Sequence, residues 1–97
     1  MSEQARWPGS AKNRTVLADR LRQVRLELFG EQGLSELAHQ LGIPSRTWHH
    51  YESGVTVPAE VILKFVELTS LEPHWLLSGR GPKYRWFIRP SGNLFGP

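Results

Sequence analysis

The sequence predicts a small all-α protein, a compact bundle of about five short helices followed by a tail rich in basic and aromatic residues. Two observations favour this class. Apolar residues recur at spacings of three and four along most of the chain, which is the period of a helix buried on one face. Proline opens several of these segments and glycine follows them, as is typical of helix starts and ends. The 97 residues suffice for one domain with a small core.

The first predicted helix spans residues 15–29. Its apolar residues are spaced by four, three and four, which places them on one face: Leu17, Leu21, Val24 and Leu28. Gly30 follows and ends the helix. Residues 1–14 are polar and lack this period, so they are predicted to form a flexible basic arm.

Residues 34–54 are predicted to form two short helices joined by a turn. The first has apolar residues at i, i+3, i+4 and i+7: Leu34, Leu37, Ala38 and Leu41. Gly42 follows, where a helix end requires a residue that tolerates positive φ. The second helix presents Trp48 and Tyr51 inward and leaves a polar outer face. Two short helices with a glycine in the turn between them are typical of a helix-turn-helix.

Prolines mark the starts of the later helices. Pro44 fixes φ in the first turn of the third helix, and Ser45 offers a side-chain oxygen as acceptor. Pro58 and Pro73 are placed in the same way in the fourth and fifth helices, and Gly79 ends the fifth. The fourth helix has this predicted inner face: Val61, Ile62, Phe65, Leu68 and Thr69.

The net charge of +3 is unevenly distributed. Residues 1–25 and 80–97 each carry +4, whereas residues 26–79 carry −5. Contacts with phosphates supply most non-specific DNA affinity, so residues 26–79 alone should bind DNA weakly. Either the basic flanks hold the DNA, or the partner is not DNA.

Several classes of function are disfavoured by the sequence. It has no cysteine and no run of eighteen apolar residues, so we expect a cytoplasmic protein without disulfides or a membrane span. No nucleophile with its base and no phosphate-cradling glycine loop is recognisable, so we expect no enzyme activity, cofactor or small-molecule substrate. His49 and His50 are adjacent and point about 100° apart on a helix, so they cannot share a metal ion.

Three short motifs follow one another in a specific order. ELA begins at Glu36, LGI begins three residues after it ends, and W-x-x-Y-E-x-G ends at Gly54 and is followed by Pro58. Together they resemble the phage repressor/Cro-like (XRE-type, lambda-repressor-like) helix-turn-helix family over residues 15–79. The resemblance implies a sequence-specific, nucleoid-associated transcriptional regulator, usually a repressor. It would bind double-stranded DNA at a two-fold operator as a homodimer, through a recognition helix at about residues 44–53.

The resemblance also implies which residues contact DNA. Base edges would be contacted by Ser45, Arg46 and His50, with His49 and Ser53 near the backbone or rim. Arg46 can present two donors to guanine O6 and N7. Relatives usually have a glutamine in the first turn of the second helix that binds a phosphate. Gly33 and Leu34 stand there in this sequence, so Ser35 or the helix amides are predicted to make that contact.

A structural ion pair is a further implication. Relatives pair an arginine of the first helix with the glutamate that precedes the glycine after the recognition helix, which is Glu52 here. Arg25 is the predicted partner and Arg22 is the alternative, since the loop after Gly30 is about two residues longer than usual. The pair would join the first and third helices; the other possibility is that both arginines are solvated.

The tail, residues 80–97, alternates basic and aromatic residues in the segment KYRWFIR. We consider three interpretations: a strand that pairs with its copy in a dimer, a nucleic-acid contact through Lys83 and Arg85, or a segment that folds back over the acidic body. We favour the first. In relatives the fifth helix contributes to dimerisation, here through Trp75 or Leu77. The alternative function is a protein-interaction module or antitoxin-like protein that binds DNA weakly or not at all.

Overall fold

The structure, a computed structural model, describes residues 10–85. Its helices in this range are α1 (Ser10–Phe29), α2 (Leu34–Leu41), α3 (Ser45–Glu52), α4 (Ala59–Thr69) and α5 (Pro73–Ser78). The predicted all-α class is confirmed, and within these residues the only β-structure is one isolated bridge. The chain divides into two units, residues 1–56 with α1 to α3 and residues 57–97 with α4 and α5.

Helix α1 begins at Ser10, five residues before the predicted start. The prediction of a flexible arm over residues 1–14 is therefore wrong for residues 10–14. Pro8 and Gly9 are the last helix-breaking residues in that segment, and alanine, lysine and arginine after them favour a helix even without an apolar period. Residues 1–9 of the predicted arm lie outside the described residues.

The buried face of α1 is rotated relative to the prediction. Leu21 and Val24 are fully buried as expected, but Leu28 is 38% exposed. Ala18 and Arg25 are buried beside them instead. A charged side chain is thus part of the buried face, which the apolar spacing did not predict.

The three helices of the first unit contact one another. Gly42 ends α2 with φ 75°, as predicted, and residues 42–44 form the turn into α3. Trp48 and Tyr51 of α3 are buried, with ring centroids 6.0 Å apart in an edge-to-face arrangement. These two rings anchor the inner face of α3, which leaves its opposite face outward.

The helix starts differ in detail from the predictions. Pro44 and Pro58 lie one position before α3 and α4, as extended N-cap residues, and are not in the first turn. Ser45 is the first residue of α3, so its side chain provides no cap hydrogen bond. Pro73 does open α5, and Gly79 ends it with φ 77°.

In the second unit, α4 buries Phe65 and Thr69. Leu68, predicted on the inner face, is 38% exposed, and that part of the prediction is wrong. The apolar residues of α4 cover a wider arc of the helix surface than its neighbours bury, so the residues at the edges of that arc stay accessible to solvent. Leu63 of α4 and Leu77 of α5 are 68% and 79% exposed.

The start of the tail folds back along its own chain. Leu71 and Tyr84 form an antiparallel bridge, flanked by hydrogen bonds from the Glu72 N–H to the Lys83 carbonyl (2.8 Å) and from the Arg85 N–H to the Ser70 carbonyl (2.7 Å). Residues 83–85 therefore pair within the chain. The rest of the tail, on which the predicted dimer strand chiefly depends, lies outside the described residues.

Among the described residues, no helix combines the length and apolar character needed to cross a membrane.

Candidate nucleic-acid interface

Helix α3 is joined to α1 by a buried ion pair. Arg25 Nε donates to Glu52 Oε2 at 2.9 Å, and Arg25 Nη2 donates to Glu52 Oε1 at 2.8 Å. The side chains are only 8% and 6% exposed, so water screens this pair weakly. The predicted pair is present with Arg25 as the partner, and the alternative, Arg22, is exposed.

The same carboxylate has a third donor that sequence reasoning missed. Trp48 Nε1 donates to Glu52 Oε2 at 2.6 Å, within α3. A buried indole N–H needs an acceptor, and a glutamate four residues later lies on the same side of a helix. That spacing was the available signal.

Arg25 also fixes the loop that follows α1. Its Nη1 donates to the carbonyls of Gly30 (3.0 Å) and Glu31 (3.2 Å). The hydrogen bond with Glu52 raises the pKa of Arg25 above its ordinary value, and attraction to Glu52 and Glu31 adds to this against the effect of burial. Arg25 thus stays charged while it holds α1, the loop and α3 in one arrangement.

The outer face of α3 is polar and open to solvent. Its exposed residues are Arg46, His49, His50 and Ser53. Within residues 10–85, the side chains of Arg46 and His50 make no hydrogen bond or ion pair. The two imidazole rings are 6.2 Å apart, and Ser53 Oγ donates to the His49 carbonyl at 3.0 Å. Arg46 and His50 are therefore available to an external partner.

Ser35 and Ser45, predicted to contact backbone and base respectively, lie side by side. Ser45 Oγ donates to Ser35 Oγ at 3.2 Å, and both residues are exposed. This contact joins the amino-terminal turns of α2 and α3, neither of which has a side-chain cap. Uncapped first turns present backbone N–H groups and partial positive charge, which suit an anion.

Gly33 shows why the expected glutamine has no place here. This residue is the buried N-cap of α2, and a Cβ added to it would overlap the Phe29 carbonyl oxygen. No larger residue fits without moving the end of α1. The glycine at this position is thus a packing requirement of the loop between α1 and α2.

Lys83 and Arg85 belong to the second unit, whereas the other predicted contact residues are in the first. Lys83 Nζ lies 4.7 Å from the ring centroid of Trp75, in a cation–π contact. Arg85 Nη2 is 3.5 Å from the Val66 carbonyl oxygen. Both basic side chains have local contacts in their own unit.

A polar cleft of about 390 Å³ lies in the first unit, between α1 and the carboxy-terminal part of α3. It is lined by Asp19, Arg22, Arg25, Leu34, His49, Glu52 and Ser53. Among residues 10–85, no three His, Asp or Glu side chains are grouped closely enough to hold a metal ion.

The first unit thus defines an all-α module that holds one short helix firmly and exposes its polar face. Comparisons with models of protein families, with curated proteins and with solved structures find no match. The fold and the residues of α3 are therefore what indicates a function.

Proposed function

We propose that this protein is a DNA-binding transcriptional regulator of the phage repressor/Cro-like helix-turn-helix class that binds a two-fold operator as a homodimer. One observation carries the proposal: α3 presents Arg46 and His50, whose side chains make no hydrogen bond or ion pair among residues 10–85, on a helix whose other side is fixed by buried contacts. Such a helix can enter a major groove without first losing internal hydrogen bonds.

The chemistry of the exposed face suits base recognition. Arg46 can donate twice to guanine O6 and N7, which discriminates against a wrong base by roughly 1–3 kcal/mol. His50, one turn along, can donate to a neighbouring acceptor. A helix of eight residues contacts only a few base pairs, and two copies on half-sites one helical turn apart would raise specificity.

A phosphate contact is supported at the exposed edge where Ser35, the predicted backbone contact, meets Ser45, the predicted base contact. Their hydroxyls and the uncapped first turns of α2 and α3 offer donors on one exposed edge. DNA backbones flank the major groove, so an edge beside α3 is well placed to meet a phosphate.

The experiment is selection from a random duplex library with the full chain, followed by salt titration of affinity for the enriched site and for random duplex. We expect an enriched two-fold sequence. Arg46→Ala should lower the preference for one base pair in each half-site by roughly 1–3 kcal/mol. Lys64→Ala, which removes one exposed charge from α4, is the matched control. Absence of enrichment together with no binding at about 50 mM salt would refute the proposal.

A second function is favoured by a separate observation. Leu63 and Leu77 are 68% and 79% exposed in the second unit, and residues 26–79 carry a charge of −5. These features suit a protein-interaction module in which apolar side chains meet a partner. Binding of the full chain to a protein partner, combined with no affinity for DNA at low salt, would favour this alternative.

A further inference from the structure

The cleft between α1 and α3 contains two kinds of charged residue. Arg25 and Glu52 form its inner part, and their hydrogen-bonding groups are largely used by each other, by Trp48 and by the loop carbonyls. They have little capacity left for a ligand. Whatever binds in the cleft must be recognised by its other polar side chains.

Those side chains are Asp19, Arg22 and His49, all of them exposed. Within residues 10–85 none of the three makes a side-chain hydrogen bond or an ion pair. Arg22 provides a permanent positive charge, and the His49 imidazole provides an N–H donor in either protonation state. The available donors of the cleft therefore suit an anion, and Asp19 opposes it.

The position of the cleft narrows the choice of anion. His49 and Ser53 line the cleft and also belong to the exposed face of α3, so the cleft opens beside that face. The sugar-phosphate backbone of duplex DNA borders the groove that such a helix would enter, so it would pass close to a cleft that opens beside α3. A phosphate at the groove edge would lie next to Arg22.

We propose that this cleft receives a phosphate of the DNA backbone, with Arg22 of α1 and His49 of α3 as its donors. The inference rests on the proposed function, and it assigns to Arg22 a role that does not involve Glu52. A volume of about 390 Å³ exceeds that of one phosphodiester group, so water fills the remainder and bridges part of the contact.

Asp19 allows a second test of the proposal, in which the expected change in DNA affinity has the opposite sign. It precedes Arg22 by three residues on α1, so its carboxylate faces the same cleft and repels the phosphate. Asp19→Asn keeps the shape of the side chain and removes its charge. If a phosphate binds here, this variant should bind DNA more tightly, whereas a merely structural role of the cleft predicts no gain.

The experiment measures the affinity of the full chain for random duplex DNA between 50 and 200 mM salt. Arg22→Ala should reduce the slope of log K against log salt by about 0.9, which is roughly a threefold smaller loss of affinity across this range. It should weaken binding to all sequences alike. Asp19→Asn should strengthen binding severalfold at 50 mM salt.

Two variants of α4 serve as charge-matched controls, Lys64→Ala for the lost cation and Glu67→Gln for the lost anion. Both should behave as the wild type. Equal effects of Lys64→Ala and Arg22→Ala would indicate general charge attraction and overturn the inference. Unchanged affinity and slope for Arg22→Ala, in a wild type that binds DNA, would also overturn it and leave the proposed function intact.

A titration with inorganic phosphate distinguishes a contact with the DNA backbone from a binding site for the free ion. We expect millimolar phosphate to shift the NMR resonances of His49 weakly, and Arg22→Ala to abolish the shift while also weakening DNA binding. The contrary outcome is that Arg22→Ala abolishes the phosphate-induced shift but leaves DNA binding unchanged. That result would show a site for free phosphate and overturn the inference. A wild type that binds no DNA at 50 mM salt would overturn both proposals.

Discussion

The two units of the chain differ in the side chains that they bury and in those that they leave exposed. In the first, Arg25 and Glu52 are buried and joined across 27 positions of sequence, while the outward face of α3 is polar. In the second, Lys83 makes a cation–π contact with Trp75, and large apolar side chains such as Leu77 are exposed. The first unit therefore fixes the orientation of a helix, and the second leaves apolar surface that a partner could cover.

The largest expected effect tests the rigidity of the first unit. Glu52→Ala removes the carboxylate that accepts from Arg25 and Trp48, and it leaves the buried charge of Arg25 without its ion-pair partner. We expect a loss of about 3–5 kcal/mol in the free energy of unfolding, measured by urea denaturation. Glu60→Ala, an exposed glutamate on α4, should change it by less than about 0.5 kcal/mol. Equal losses for the two variants would show that the buried ion pair contributes no more to the free energy of unfolding than an exposed glutamate does.

The next effect concerns the close packing that positions α2. Gly33→Ala would place a methyl group against the Phe29 carbonyl and force the end of α1 to shift. We expect a loss of roughly 1–3 kcal/mol, measured by thermal unfolding. Ser35→Ala, two residues later on the exposed side of α2, is the control. Full stability of Gly33→Ala would mean that the loop relaxes freely.

A smaller effect, of opposite sign, is expected in the second unit. Ser70 adopts φ 60° at the C-cap of α4, a conformation that costs a residue with a Cβ about 1–2 kcal/mol. Ser70→Gly should raise the free energy of unfolding by up to about 1 kcal/mol, because part of that gain is lost to the greater freedom of glycine in the unfolded chain. A destabilised Ser70→Gly variant would contradict this assignment of strain.

The smallest effect on folding is expected at Leu77. Because 79% of this side chain is exposed, Leu77→Ser should change stability by less than about 0.5 kcal/mol. If the surface mediates self-association, the variant should shift the sedimentation coefficient toward the monomer at a fixed concentration. Identical sedimentation of the two proteins would exclude this residue from a homodimer contact.

The positions of most helices could be predicted from local sequence, but the extent to which their apolar faces are buried could not. Apolar spacing located α2, α3 and α4, Pro73 and Gly79 located α5, and the resemblance to repressors gave Arg25 as the partner of Glu52 with Arg22 as the alternative. Spacing could not show that Leu28 and Leu68 are exposed, because a helical period gives the apolar face but not how far the neighbouring elements cover it. The start of α1 was missed because residues 10–14 favour a helix by composition, without an apolar face.

The exposed residues of the candidate site could be predicted from the sequence, but the cleft beside them could not. The outward positions of Arg46, His49, His50 and Ser53 follow from helical geometry once Trp48 is placed inward. The hydrogen bond from Trp48 to Glu52 lies within α3 and could have been inferred from their spacing, whereas the cleft lined by Arg22 and His49 depends on how α1 packs against α3. Contacts of that kind arise from tertiary packing, which no single segment specifies.

The two sides of α3 impose different rules of substitution. On the inner side, Glu52 accepts hydrogen bonds from both Trp48 and Arg25, so a substitution at Glu52 removes an acceptor from two buried side chains at once. Arg46 and His50 have no such partners within the described part of the chain. Their identities can therefore change over evolutionary time, or in a designed library, at little cost to folding. A lineage carrying this helix could acquire new binding preferences through those two positions while its scaffold stays the same.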